Sequence, residues 1–225
     1  MKWKLPTPRD FGWQMKDLTS ATTSFRVLPY GSYEACIEHD IIKGCTPEMI
    51  EWWFRHIGGE MEYQGQHYPR YLVWHPVDHI HWALKKEAPD GGAGVGARFQ
   101  IVEAFQGNAH WMIDTIDEVV KLDRTGIRLR LKRFGLELYS LEHRFIPHPD
   151  GTRYISRLQI GSETLAGKLL FNPFIQRFMM TAAMTEAWLQ HNIEEVGNFE
   201  YFLPALYEKE QAKQEAKRHS FQSLI

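Results

Sequence analysis

Cysteine is scarce in this 225-residue chain, which carries only Cys36 and Cys45. Two cysteines cannot build a disulfide framework, and the opening MKWKLPTPRDFGWQ lacks the apolar core a signal peptide needs, so a reducing cytoplasm is the expected setting. Long apolar runs are missing as well. FMMTAAM, among the longest, falls far short of the roughly 20 residues of a membrane span, which predicts a soluble protein with no membrane partner. Neither sign of charge dominates: 26 basic against 28 acidic residues leave a net charge of -2. No overall field therefore draws the chain to nucleic acid. HExxH, CxxC and GxSxG are all absent, which disfavours the zincin, zinc-ribbon and hydrolase-elbow chemistries. The glycine-rich GGAGVGA (91–97) has no Lys-Ser/Thr after it and precedes a strand pattern, so it is no phosphate loop. There is no internal repeat and no low-complexity linker.

What the chain does have is length for a substantial core and a heavy aromatic load of eight Trp, nine Tyr and 13 Phe. That suits a ligand cavity and an ordinary core equally. A single domain over 1–225 is expected, with an irregular arm at 1–29 and a charged, solvated tail at 208–225. YEACIEHDI (33–41) alternates Ala35, Ile37, His39 and Ile41 on one side, a strand pattern. Thr46 as cap and Pro47 at the first position start a helix that Gly58-Gly59 stops. The run from Tyr68 to Trp82 begins as a strand and is interrupted at Pro76. A loop over KKEAPDGGAGVGA leads into the strand GARFQIVEAF. DEVVKLD, TGIRLRLKRFGLELYSLEHRF and TRYISRLQIG follow as extended runs, with Asp150-Gly151 turning the last hairpin. A long helix is predicted from the Asn172-Pro173 cap to Gly197. The order predicts an α+β fold in which an antiparallel sheet curls around a helix.

Polar residues interrupt the apolar faces of these elements. Met184, Trp188, His191 and Glu195 follow steps of four, three and four and share one helix face. A histidine and a carboxylate one turn apart can reach one metal ion, which would offset the cost of burying the carboxylate. The same spacing also serves a simple i,i+4 hydrogen-bonded pair. Glu103 shares a strand face with Phe99, Ile101 and Phe105. His75, His79 and His81 crowd beside Asp78, offering one more imidazole ligand, or merely rim residues. His143 sits with Tyr139, Leu141 and Phe145, and Tyr154 with Ser156, Leu158 and Ile160; on a cavity wall they could handle a proton and bind substrate, and elsewhere they are core.

EMIEWWFRH (48–56), RYLVWHPVDHIHW (70–82), FQIVEAF (99–105), SRLQIG (156–161) and HNIEEVGNFEYFLPALY (191–207), in that order, resemble the diacetylphloroglucinol hydrolase and phloretin hydrolase family. The resemblance spans most of 30–207. It implies a helix-grip fold of the Bet v 1 and START type, one Zn2+ per chain held by two histidines and two glutamates, and a homodimer. Carried over, the ligands are His191, Glu195, Glu103 and His79, with His75 as the alternative to His79. Tyr71, eight residues before His79, matches a family tyrosine, and His143 and Tyr154 take the places of the family's active-site histidine and second tyrosine. The activity implied is hydrolysis of the carbon–carbon bond between an acyl group and a phenolic ring, with His143 as proton donor and Tyr71 and Tyr154 orienting an acylphenol substrate. A non-catalytic helix-grip binder of an apolar or aromatic small molecule is the rival reading. A ferrous oxygenase would use one carboxylate, so the second glutamate argues against it.

Overall fold

A computed structural model describes residues 3–178 and 180–222. Met1, Lys2, Met179 and 223–225, which belong to the predicted arm, long helix and tail, lie outside the described residues. In chain order the elements are β1 (Thr22–Val27), β2 (Tyr33–Glu38), β3 (Ile42–Lys43), α1 (Pro47–His56), β4 (Glu60–Tyr63), β5 (Gln66–Pro69), α2 (Arg70–Trp74), β6 (His79–Lys86), β7 (Arg98–Ala104), β8 (Met112–Asp123), β9 (Gly126–Arg133), β10 (Leu136–His148), β11 (Gly151–Ile160), α3 (Asn172–Phe178) and α4 (Ala182–Gln222). Nine strands form one sheet in the order β1-β2-β11-β10-β9-β8-β7-β6, with β3 on β11, and β4 and β5 make a separate hairpin. Every pairing is antiparallel. The sheet and α4 share a core: Phe99, Phe145 and Tyr154 from strands, Trp53 and Phe54 from α1, and Phe199 and Phe202 from α4. This is the α+β helix-grip architecture. Among the described residues no helix is long and apolar enough to cross a membrane.

α1 begins as its sequence predicts, with the Thr46 side chain accepting from Met49 N and Pro47 at the start. Four expectations need correction. The arm is not wholly irregular, because residues 22–27 pair with β2 as an edge strand. Residues 70–74 are helix rather than strand. Arg70 is buried, its guanidinium donates to the Glu60 and His56 carbonyls, and its own N–H donates to Gly59 O, which turns the chain off the strand path. The run 125–145 is broken by a hairpin at Phe134-Gly135, both with positive φ (52° and 79°). Phe134 is an uncommon residue for such a turn, so the sequence does not announce it.

The C-terminal helix departs furthest from expectation. A π-helical turn (Gly167–Phe171) precedes α3, and Asn172 is no cap: its side chain is buried and bonds Tyr30 O, Ser162 O and Ser162 N. The long helix proper is α4, which passes through Gly197 and Pro204. A Cβ on Gly197 would lie 2.9 Å from Lys16 Cδ of the arm, the outer part of a flexible side chain that can shift. Burial of Phe199, Phe202 and Leu203 beyond it compensates the intrinsic cost of glycine in a helix.

Gly126 opens β9 opposite β10 with φ of +153°, and a Cβ there would sit 2.1 Å from the backbone oxygen of His143. A carbonyl inside a ladder cannot give way. Gly126→Ala should therefore cost about 1–3 kcal/mol, seen in thermal melts as a fall of about 2–4 °C per kcal/mol for a chain of this size.

Candidate metal centre

β6 and β7 are in register at His79 and Glu103, which pair directly across the ladder. α4 crosses this end of the sheet and brings His191 and Glu195, one turn apart, to the same point. One nitrogen or oxygen from each of the four buried residues lies within 4.8 Å of the other three. His79 Nε2 is 3.5 Å from Glu103 Oε1 and 3.4 Å from Glu195 Oε2. His191 Nε2 is 3.5 Å from Glu103 Oε2 and 3.8 Å from Glu195 Oε2. Such separations are long for hydrogen bonds. They suit donors that share one cation, since neighbouring ligand atoms about 2.1 Å from a common centre stand about 3–3.5 Å apart.

The outer nitrogens orient the two imidazoles. His79 Nδ1 donates to Tyr71 O at 2.7 Å, which leaves Nε2 with its lone pair toward the cluster, buried and without a hydrogen-bond partner among the described residues. His191 Nδ1 lies 2.9 Å from Asp78 Oδ2, and Asp78 is in turn held by the N–H groups of Gln106 and Gly107. Outer partners of this kind set the tautomer that presents Nε2 to a metal. The glutamates are anchored too, Glu103 by the Tyr71 hydroxyl and Glu195 by the Asn192 amide. Burial lowers His79 well below the usual histidine range and so keeps it neutral. Burial raises the Glu195 carboxyl, with Glu103 adding to the rise and His191 opposing it. His191 rises although burial opposes it, because Glu103, Asp78 and Glu195 outweigh that cost. A cation would displace the protons so held. These four buried groups could hold a metal ion.

His75 stands behind them. Its Nδ1 accepts from Asp78 N at 3.1 Å, its Nε2 faces Glu194 at 3.0 Å, and its ring stacks on His191 with centroids 4.7 Å apart. Both nitrogens are engaged, so His79 and not His75 joins the set of four. His75, Asp78 and His191 also come together, but there the His191–Asp78 hydrogen bond occupies the close pair.

The cluster opens on a cavity of about 140 Å³ between sheet and α4, walled by Phe54, Trp74, Trp82 and Phe99 among others. A cavity of about 150 Å³ is enough to take up benzene. Tyr71 and His143 line it. The Tyr71 ring lies flat on His79, centroids 3.9 Å apart. His143 Nδ1 meets Ser156 Oγ at 2.9 Å, and burial pushes its imidazole down to about 3. Tyr154 lies behind His143, ring centroids 5.1 Å apart, fully buried, with its hydroxyl unpaired among the described residues.

Asp78, which orients His191, was named from the sequence only as the neighbour of three histidines, and Asn192, which holds Glu195, was not named at all. Asp78 had a signal, being fixed one residue before His79; Asn192 had none. Asp117 was missed as well. It lines the cavity from β8, and burial raises its carboxyl to about 7. Reading the strand from Met112 would have put Asp117 in phase with Ile113 and Thr115. Because the folded-state value lies above the ordinary 3.8, Asp117 favours the fold below pH 4 and loses that contribution as pH rises through about 7. Asp117→Asn should thus match the parent near pH 4 and exceed it at pH 8 by up to about 4 kcal/mol, at about 1.4 kcal/mol per unit, in denaturant melts.

Fold and site together define a helix-grip protein with a buried two-histidine, two-glutamate cluster at the end of an aromatic cavity. The family model described as DAPG hydrolase PhiG domain matches residues 12–128, just over half of the chain, and the chain belongs to that family. The match contains Tyr71, His79 and Glu103; His143, Tyr154 and the α4 pair lie outside it. No curated protein matches the chain. Among solved structures, a START superfamily protein from Mycobacterium smegmatis is similar with a TM-score of 0.45 and 13% identity, covering 74% of this chain and 94% of that one. Ara h 8.0201 is similar with a TM-score of 0.44 and 8% identity, over 82% and 99% of the two chains. Major latex-like protein 151 from Panax ginseng has a TM-score of 0.40 at 10% identity, over 71% and 97%.

Proposed function

We propose that this protein is a zinc-dependent hydrolase that breaks the carbon–carbon bond between an acyl group and a phloroglucinol-type phenolic ring. The observation that carries the reading is the cluster of His79, Glu103, His191 and Glu195 opening on an aromatic cavity, in a chain of the DAPG hydrolase family. Bound by these four, Zn2+ would supply Lewis acidity toward an acyl carbonyl and a water made acidic enough to act as nucleophile near neutral pH.

The remaining work falls to the chain's own side chains. The aromatic walls hold the ring and exclude bulk water, which fixes the acyl group at the cluster end. Tyr71, whose hydroxyl donates to Glu103, lines the cavity and offers its oxygen as an acceptor to a hydroxyl of the ring. In the overall reaction a C–O bond forms at the acyl carbon as the acyl–ring bond breaks, and the ring carbon must gain a proton to leave. Burial holds His143 neutral, so any proton it gives it must first receive. A ring hydroxyl in the cavity is a suitable source: His143 accepts that proton and passes it to the ring carbon while Ser156 holds Nδ1, the attacking water leaves its OH on the acyl carbon, and the water's other proton restores the ring hydroxyl. Tyr154 packs behind His143 and keeps its ring in place.

Elemental analysis of the purified protein, paired with an assay for acetate released from acylphenols, tests this directly. About one zinc per chain together with acid release is the expected result. A protein that binds aromatic molecules in the cavity but carries no metal and releases no acid would be a binder instead.

A further inference from the structure

Asp117 has no task in the hydrolysis described above, yet it occupies a costly position. On β8 the residues Ile113, Thr115 and Asp117 alternate toward the cavity. Asp117 is 0% exposed. Its Oδ2 accepts from Thr115 Oγ1 at 2.8 Å, whereas Oδ1 is buried with no hydrogen-bond partner among the described residues. A buried acceptor left unpaired costs free energy that a ligand donor would recover. Among the described lining residues no lysine or arginine offers to pair with it.

Its distance from the cluster is informative. Asp117 pairs with Phe99 across the ladder and Ile113 pairs with Glu103. Four residues of strand at about 3.3 Å each place Asp117 about 13 Å along the sheet from the cluster end. One substituted benzene ring, with the two side chains reaching toward it, fills that span. Tyr139 on β10 lines the same cavity, and burial, then the charges of Asp117 and Glu103, raise its hydroxyl well above the usual tyrosine range. An ammonium group would have to leave water for walls that are mainly aromatic and aliphatic, where Glu103 and Glu195 belong to the cluster end and Asp117 alone supplies a carboxyl on β8. A neutral hydroxyl needs one acceptor, which Oδ1 supplies.

We propose that Asp117 binds substrate, accepting a hydrogen bond from a ring hydroxyl at the end remote from the His79, Glu103, His191 and Glu195 cluster, so that the chain selects acylphenols hydroxylated opposite the acyl group. The assignment rests on the acylphenol reading of the site.

Calorimetry with the zinc-loaded protein tests it, using 2,4,6-trihydroxyacetophenone and 2,6-dihydroxyacetophenone, which differ only in that hydroxyl. The parent should bind the trihydroxy ketone about 10- to 100-fold more tightly. Asp117→Leu should erase the difference by weakening the trihydroxy ketone alone, and Asp117→Asn, which keeps an acceptor, should restore most of it. Where a ketone is turned over, kcat/KM read from acetate gives the same comparison. Equal binding of the two ketones by the parent, binding of neither, or equal weakening of both in Asp117→Leu overturns the assignment. Acetate release and metal content are scored separately. Discrimination through Asp117 without any acetate would uphold the binding role and sink the hydrolase reading, whereas acetate release without discrimination would do the reverse.

Discussion

His79→Ala and Glu103→Gln should each lose bound zinc at neutral pH and, with it, acid release from acylphenols. Four-ligand zinc sites are worth about 10–16 kcal/mol, or about 3–4 kcal/mol per ligand, so each replacement should weaken metal affinity by about 10²–10³-fold. Asp78→Asn makes the contrast. Asp78 touches His191 Nδ1 and no proposed donor atom, and removal of such an outer partner costs about 10- to 100-fold. Equilibrium dialysis against a zinc indicator separates the two classes. Melting gives an independent measure. At metal concentrations near 100 Kd the loaded parent gains about 2.7 kcal/mol, which at about 2–4 °C per kcal/mol is about 5–11 °C above the chelated protein. His79→Ala should show no such gap. Full metal occupancy in His79→Ala would place the metal elsewhere.

Replacing His143 by Gln should lower kcat by about 10²–10⁴-fold, the usual contribution of a positioned proton-transfer group, with zinc content and KM little changed. Gln can still reach Ser156, so the hydrogen bond that orients residue 143 survives. A purely structural role would predict the opposite split, with stability lost and kcat of the folded fraction preserved. The acid limb of stability supplies a second readout. Burial depresses His143 from 6.5 to about 3, so its contribution is present above pH 6.5 and is lost as the pH falls toward 3, where the unfolded chain takes up a proton that the fold refuses. His143→Gln should therefore lose less stability than the parent over that interval.

Local periodicity carried much of the architecture. Thr46-Pro47 marks the start of α1, alternation in ARFQIVEAF places Glu103 on the inner face of β7, and the four-three-four spacing on α4 puts His191 and Glu195 on one side. Each of these depends on neighbours within about two turns of helix or a few strand residues, a range over which backbone geometry alone aligns side chains. The antiparallel meander is legible for the same reason. Resemblance then joined segments that periodicity leaves separate.

Contacts between distant residues had to await the fold. The choice between His75 and His79 turns on ladder register, because His79 faces Glu103 whereas His75 is taken up by Asp78 and Glu194. The helix at 70–74, unlike the strand its residues suggest, follows from Arg70 reaching the Glu60 and His56 carbonyls. The passage of α4 through Gly197 follows from the burial of Phe199, Phe202 and Leu203 beyond it in a core shared with α1 and the sheet. Asp117 gains its cavity position from the pairing of β7 with β8. Alternation and helical spacing tell which way a side chain faces on its own element; what it meets there depends on register and on the packing of segments about 100 residues apart, whose energies are written in no local pattern.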